Sequence, residues 1–121
     1  KGVLEKVKAH VGDVDFAVQP ELVSLLSSRN FGRYADEKGE MKVCFISNND
    51  ITGGNSGSAM FNSKGELLGL AFDGNWEAMS SDILYEPKMQ RTIGVDVRYI
   101  LFMIEKYGKA GNLIKELNII N

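Results

Sequence analysis

NNDITGGNSGSAMFNSKGELLGLAFDGNW, residues 48–76, sets glycine, asparagine and serine between two apolar stretches and places the hydroxyl of Ser56 inside G-N-S-G at 54–57. A serine that acts as a nucleophile needs its hydroxyl projected from a tight turn. Backbone N–H groups must also converge where a carbonyl oxygen becomes negative. Glycines permit such a turn. On this pattern the Gly54 and Ser56 amides form an oxyanion hole and Gly57 clears room for a substrate. The α/β-hydrolase elbow G-x-S-x-G is excluded, because position 58 is Ser58. As a bare tetrapeptide, G-N-S-G equally fits an ordinary turn, so the flanking sequence has to decide.

Downstream, the pattern predicts a short strand near 58–61, a turn at NSKG and a strand over 66–73. Upstream, FGRYADEKGEMKVCFISNND at 31–50 shows two β-prone runs around DEKGE. The single cysteine, Cys44, falls in the second run and reads as a small buried core residue, because no neighbouring cation would lower its pKa. Beyond Trp76 a polar loop, EAMSSDILYEPK, leads to a further strand in QRTIGVDV at 90–97. Asp96 then caps a helix over 97–107, with Ile100, Leu101, Ile104 and Tyr107 on one face and Gly108 as its stop. A last helix is predicted at 112–118. Near the start, Val3, Leu4, Val7 and Val11 have helical spacing, and Pro20 suits the first turn of a second helix.

At 121 residues the chain has the size of one domain. Its 14 Lys and Arg against 16 Asp and Glu, with no basic stripe interleaved with aromatics, argue against a nucleic-acid partner. No apolar run approaches the roughly 20 residues of a membrane helix. The opening KGVLEKVKAH lacks the apolar core of a secretory signal, which carries no weight if Lys1 is not the native start. CxxC, HExxH and acidic calcium loops are absent, and His10 has no second ligand nearby, so no metal and no cofactor are expected.

In chymotrypsin-type barrels the nucleophile loop is followed by a short strand, a tight turn and a second strand whose end lies beside the bound peptide. SAMFNSKGELLGLAFDGNW has that order, which places Phe72 and its neighbours next to Ser56 in a substrate cleft. TGGNSGS at 52–58, FDGNWEAMS at 72–80 and QRTI-VD-RY at 90–99 together resemble the C-terminal part of the bacterial dipeptidyl-peptidase seven and eleven family. These are serine exopeptidases of the cell envelope that remove dipeptides from peptide N-termini. The likeness runs over about 31–118 and implies a chymotrypsin-like double barrel interrupted by a helical domain, in a chain several times longer than this one. The expected fold is therefore mainly β with terminal helices: half of a trypsin-like antiparallel β-barrel closed by a C-terminal helix. Residues 1–30 are a connecting helical segment and 31–121 the barrel.

Carried over by position, the resemblance implies that Ser56 is the nucleophile, that the Gly54 and Ser56 amides are the oxyanion hole, and that Asp73 holds the substrate's free α-ammonium. A fixed charge there favours a peptide terminus over an internal bond. A strand-end turn would also explain Asp73. Glycine at Gly74 marks the family branch that accepts an apolar residue before the scissile bond, where arginine marks the acidic branch. Asp50, six residues before Ser56, supports a rival basic preference. Asn75 and Trp76 support the loop.

The family's catalytic His and Asp lie in the N-terminal barrel, outside this chain, and His10 lacks an orienting acid. The chain alone is therefore expected to be inert. The implied partners are a peptide substrate and the N-terminal barrel and helical domain of the parent chain. Homodimers occur in the family, and the location is the periplasm or cell envelope. Two rivals stay open: a trypsin-like or heat-shock-type endopeptidase, and a noncatalytic assembly module.

Overall fold

The computed structural model describes residues 2–80 and 88–120 and, of Met79 and Ser80, the backbone alone. Residues 81–87 of the expected polar loop lie outside the described residues. Four strands, β1 (Cys44–Ser47), β2 (Ala59–Phe61), β3 (Leu67–Gly74) and β4 (Thr92–Asp96), pair antiparallel in the order β1-β4-β3-β2. β1 and β2 are the edges of this small sheet. Four α-helices accompany it: α1 (Gly2–Ala9), α2 (Pro20–Ser27), α3 (Val97–Phe102) and α4 (Gly111–Glu116). Helical turns thus take up more of the described chain than strands do, and the described strands form an open sheet.

The local signals act where they were expected. Pro20 opens α2, where its missing N–H costs nothing. Asp96 ends β4 and caps α3: its Oδ1 accepts from Arg98 N at 2.9 Å and from Arg98 Nε at 2.9 Å, and its Oδ2 from Nη2 at 2.7 Å. That fork binds the guanidinium to a buried carboxylate and holds Arg98 above its ordinary pKa. The turn between β2 and β3 closes through Gly65 N to Asn62 O, with Asn62 Oδ1 accepting from the Lys64 and Glu66 amides.

Three expectations need correction. The first β-prone run is a 3₁₀ turn over Gly32–Tyr34, because Phe31 and Tyr34 are drawn into the core against Phe102. Their rings meet Phe102 edge-on, with centroids 5.7 and 6.3 Å away. Cys44 is exposed rather than buried. It faces outward with Ile46 from an edge strand, opposite Phe45 in the pleat. The helix expected over 97–107 keeps α-geometry only to Phe102 and continues as a π-turn over Met103–Tyr107, with Gly108 N reaching Met103 O at 2.7 Å. A π-turn breaks the 3.6-residue period on which the expected stripe was drawn, and the residues buried are Leu101 and Phe102.

The main core joins Leu26, Phe31, Tyr34, Leu101, Phe102 and Ile114, so α2 and the C-terminal helices share one apolar centre. It anchors the strand-to-helix junction at Asp96. Along β4, Thr92, Gly94 and Asp96 are buried, while Ile93 and Val95 are half-buried on the other face. Among the described residues no helix is long and apolar enough to cross a membrane.

Candidate active site

The loop before β2 is built around Asn55. Its Oδ1 accepts from Thr52 N at 2.9 Å and from Thr52 Oγ1 at 3.3 Å, and its carbonyl accepts from Ser58 N at 2.9 Å. Gly54 and Gly57 flank the serine at φ +93° and +85°, a region that side chains with a Cβ rarely enter. Two backbone bonds then tie the loop to β3: Gly57 N to Ala71 O at 2.6 Å and Ala71 N to Ser58 O at 2.9 Å. The result is an exposed Ser56 whose Oγ donates to Phe72 O at 3.4 Å. The amides of Gly54 and Ser56 donate to no other group among the described residues.

β3 carries the rest of the site past an irregularity. Ala71 pairs with Gly94 and Asp73 with Ile93, so Phe72 is an extra residue with no partner on β4. Such a bulge reverses which face the following residues occupy. Without it, Asp73 would share the buried face of Gly69 and Ala71. With it, Asp73 lies on the face of Leu70 and Ile93, exposed, and Gly74 returns to the buried side opposite Thr92. Asp73 is exposed, and among the described residues its Oδ1 accepts from the adjacent Gly74 N alone, at 2.8 Å.

Asn75 closes the excursion between β3 and β4. Its N–H donates to Arg91 O at 2.9 Å, its Oδ1 accepts from Arg91 N at 2.8 Å and from Ala78 N at 3.2 Å, and its Nδ2 donates to Met89 O at 2.8 Å. Thr92, 1% exposed, donates from Oγ1 to Asn49 O at 2.6 Å, fixing the approach to the serine loop against β4.

Ser56 in the loop thus meets β3 at Phe72, and Asp73 and Gly74 follow Phe72 on that strand. His10 does not join them: its ring stacks on Phe16 at 4.0 Å and its Nδ1 bonds Lys6 O. Asp50 is exposed in the segment before the loop. The space beyond Gly74 is partly filled, since a Cβ there would meet Ala78 Cβ at 2.8 Å and Ile51 Cγ2 at 3.5 Å. Sequence reasoning missed the Ala71 backbone pair, the Thr92 anchor and the bulge. The continuous apolar run LLGLAF offered no alternation from which to read a register. Among the described residues no three His, Cys, Asp or Glu side chains are grouped to hold a metal ion.

The small sheet presents Ser56 on a glycine loop tied to the strand that carries Asp73. The profile of the peptidase S46 family matches residues 1–119, and the chain belongs to that family. It is 59% identical over 120 residues to a dipeptidyl-peptidase 7 of Porphyromonas endodontalis, covering 99% of this chain and 14% of that protein. It is 48% identical over 119 residues to an Asp/Glu-specific dipeptidyl-peptidase of Capnocytophaga gingivalis, covering 98% and 16%. The crystal structure of Porphyromonas endodontalis DPP11 in complex with the dipeptide Arg-Glu superposes with a TM-score of 0.88 at 44% identity, over 95% of this chain and 16% of that one. The chain therefore spans about one sixth of the length of the relatives it matches.

Proposed function

We propose that the protein to which this chain belongs is a serine dipeptidyl aminopeptidase that releases dipeptides from free peptide N-termini. The observation that carries this is the exposed Ser56 hydroxyl on a positive-φ glycine loop, tied through Ala71 to the strand that carries Asp73.

Ser56 Oγ attacks the carbonyl carbon of the second residue. The carbonyl oxygen, now negative, takes hydrogen bonds from the Gly54 and Ser56 amides. The serine proton must pass to a base, and the departing amine must receive one. Family resemblance assigns this to a His–Asp pair in the part of the parent outside this chain. Water then resolves the acyl-enzyme. Loss of a triad base costs on the order of a millionfold in turnover, so this chain alone is inert. Asp73 pairs with the α-ammonium two residues upstream of the scissile bond, the Phe72 backbone lies along the peptide, and Gly74 bounds the pocket for the second residue.

An apolar second residue is the preferred one because Gly74 adds no charge to that pocket, and relatives named Asp/Glu-specific, at 48% and 45% identity, keep an acidic preference as the competing outcome. In the parent, residues 1–30 enter from the preceding region and 31–121 complete the serine-bearing barrel of an enzyme of the periplasm or cell envelope, in a family in which homodimers occur.

The test is cleavage by the full-length parent of a dipeptidyl substrate with a free N-terminus and an apolar second residue, against its acetylated twin. Cleavage of the free form alone, abolished by Ser56→Ala, supports the assignment. Equal cleavage of both forms would make the enzyme an endopeptidase. Faster cleavage after an acidic second residue would overturn the apolar preference.

A further inference from the structure

We infer that Asn75 is a positioning residue: its side-chain amide pins the register of β3 beyond the Phe72 bulge and so holds Asp73 on the exposed face of the sheet. This rests on the reading of Asp73 as the ammonium site given above.

After the bulge only two residues, Asp73 and Gly74, pair with β4 before the ladder ends. A strand end held by so few pairs can slip by one residue. Because side chains alternate, a slip that absorbs the bulge would turn Asp73 to the buried side. Asn75 opposes this at the next position. Its backbone N–H continues the ladder to Arg91 O, and its Oδ1 takes the Arg91 N–H in return, so the side chain acts as a surrogate strand carbonyl. Nδ2 reaches on to Met89 O, and Oδ1 also takes the Ala78 N–H. Both sides of the excursion between β3 and β4 are thereby fixed to one planar amide. Alanine can satisfy none of these three side-chain bonds. The backbone of the serine loop is tied to β3 before the bulge, by Gly57 N to Ala71 O and Ala71 N to Ser58 O, and only the long Ser56 Oγ bond reaches the bulge residue, at Phe72 O, so losing Asn75 leaves the nucleophile loop in place.

The experiment is a double-mutant cycle in the full-length parent, with Asn75→Ala and Asp73→Asn alone and combined. It reads kcat and KM on a free-terminus dipeptidyl substrate and the rate at which a fluorophosphonate labels Ser56. A displaced charge-assisted bond predicts that Asn75→Ala raises KM roughly 10- to 100-fold, with the Ser56 labelling rate unchanged. Asn75→Ala should add nothing further to KM in the Asp73→Asn background. An equal KM rise in both backgrounds, or slower labelling with KM unchanged, overturns the inference alone. If Asp73→Asn by itself leaves KM unchanged, the ammonium-site reading fails and takes the inference with it. Should Asn75→Ala fail to label at all, Asn75→Asp decides by the same cycle. It keeps both acceptor bonds but sets a carboxylate oxygen against Met89 O in place of the donated N–H, so a KM rise that vanishes with Asp73→Asn supports the inference, and an unchanged KM or a rise that persists with Asp73→Asn overturns it.

Discussion

Adding one methyl group at Gly74 tests how closely the strand end is packed. Nothing in the backbone forbids it, because Gly74 is not among the glycines at positive φ. The obstacle is steric: a Cβ would sit 2.8 Å from Ala78 Cβ, about 0.6 Å or more inside an ordinary carbon–carbon contact. Ala78 cannot simply retreat. It lies in a 3₁₀ turn, is buried, and its N–H is held by both Asn75 O at 2.9 Å and Asn75 Oδ1 at 3.2 Å. Overpacking of this kind costs about 1–3 kcal/mol. Against it, replacing glycine with alanine restricts the unfolded chain and returns about 0.4–1 kcal/mol. Gly74→Ala should therefore destabilise the β3 end by about 1.3 kcal/mol at mid-range and at most about 2.6 kcal/mol, the former being roughly a tenfold loss of hydrogen-exchange protection in the peptides that carry Asn75 and Arg91. Native-state exchange on the full-length parent measures this without requiring two-state unfolding. Ala78→Gly removes the opposing methyl, so the double variant should regain the protection of Ala78→Gly alone. Unchanged protection in Gly74→Ala, or no rescue by Ala78→Gly, would refute the packing argument.

Phe102, 0% exposed between Phe31 and Tyr34, should cost about 3–5 kcal/mol when cut to alanine, read as faster exchange in both 31–35 and 97–107. Exchange confined to 97–107 would mean that the two segments do not share a core. Burial first, with Glu105 beside it, pushes the Tyr34 hydroxyl up to about 12 from 10.0. The folded state therefore favours the neutral phenol, and its contribution is complete below pH 10 and lost as pH rises towards 12. Relative to Tyr34→Phe, which cannot titrate, the wild type should lose about 2–3 kcal/mol over that window, and a pH-independent difference in unfolding would contradict this. Thr92→Val removes the donor to Asn49 O and should cost about 0.5–1.5 kcal/mol, seen as faster exchange in the segment leading to the serine loop. Exchange there at the wild-type rate would mean that Thr92 does not hold that segment.

What was legible in the sequence was local. Asp96 as a cap, Pro20 as a helix start, the NSKG turn and the glycine frame of Ser56 each act within a few residues, so type and spacing suffice. What was illegible depended on distant partners. Phe31 and Tyr34 read as β-prone until Phe102, some seventy residues on, supplies the core that bends them into a 3₁₀ turn. The exposure of Cys44 follows from which face of an edge strand it occupies, and a continuous apolar run conceals that choice. The bulge at Phe72 has the same origin: LLGLAF is apolar throughout, so only the pairing with β4 shows that Asp73 turns outward. In the candidate site, Ser56 and Asp73 were candidates from the sequence, while their relation depends on a register that was not legible there.

The most direct measurement is to treat the full-length parent with a fluorophosphonate and locate the adduct by peptide mass spectrometry. The account predicts a single stoichiometric adduct on Ser56, formed in step with the loss of dipeptide release and absent from Ser56→Ala. An adduct on any other residue, or full inhibition with Ser56 unmodified, would contradict it.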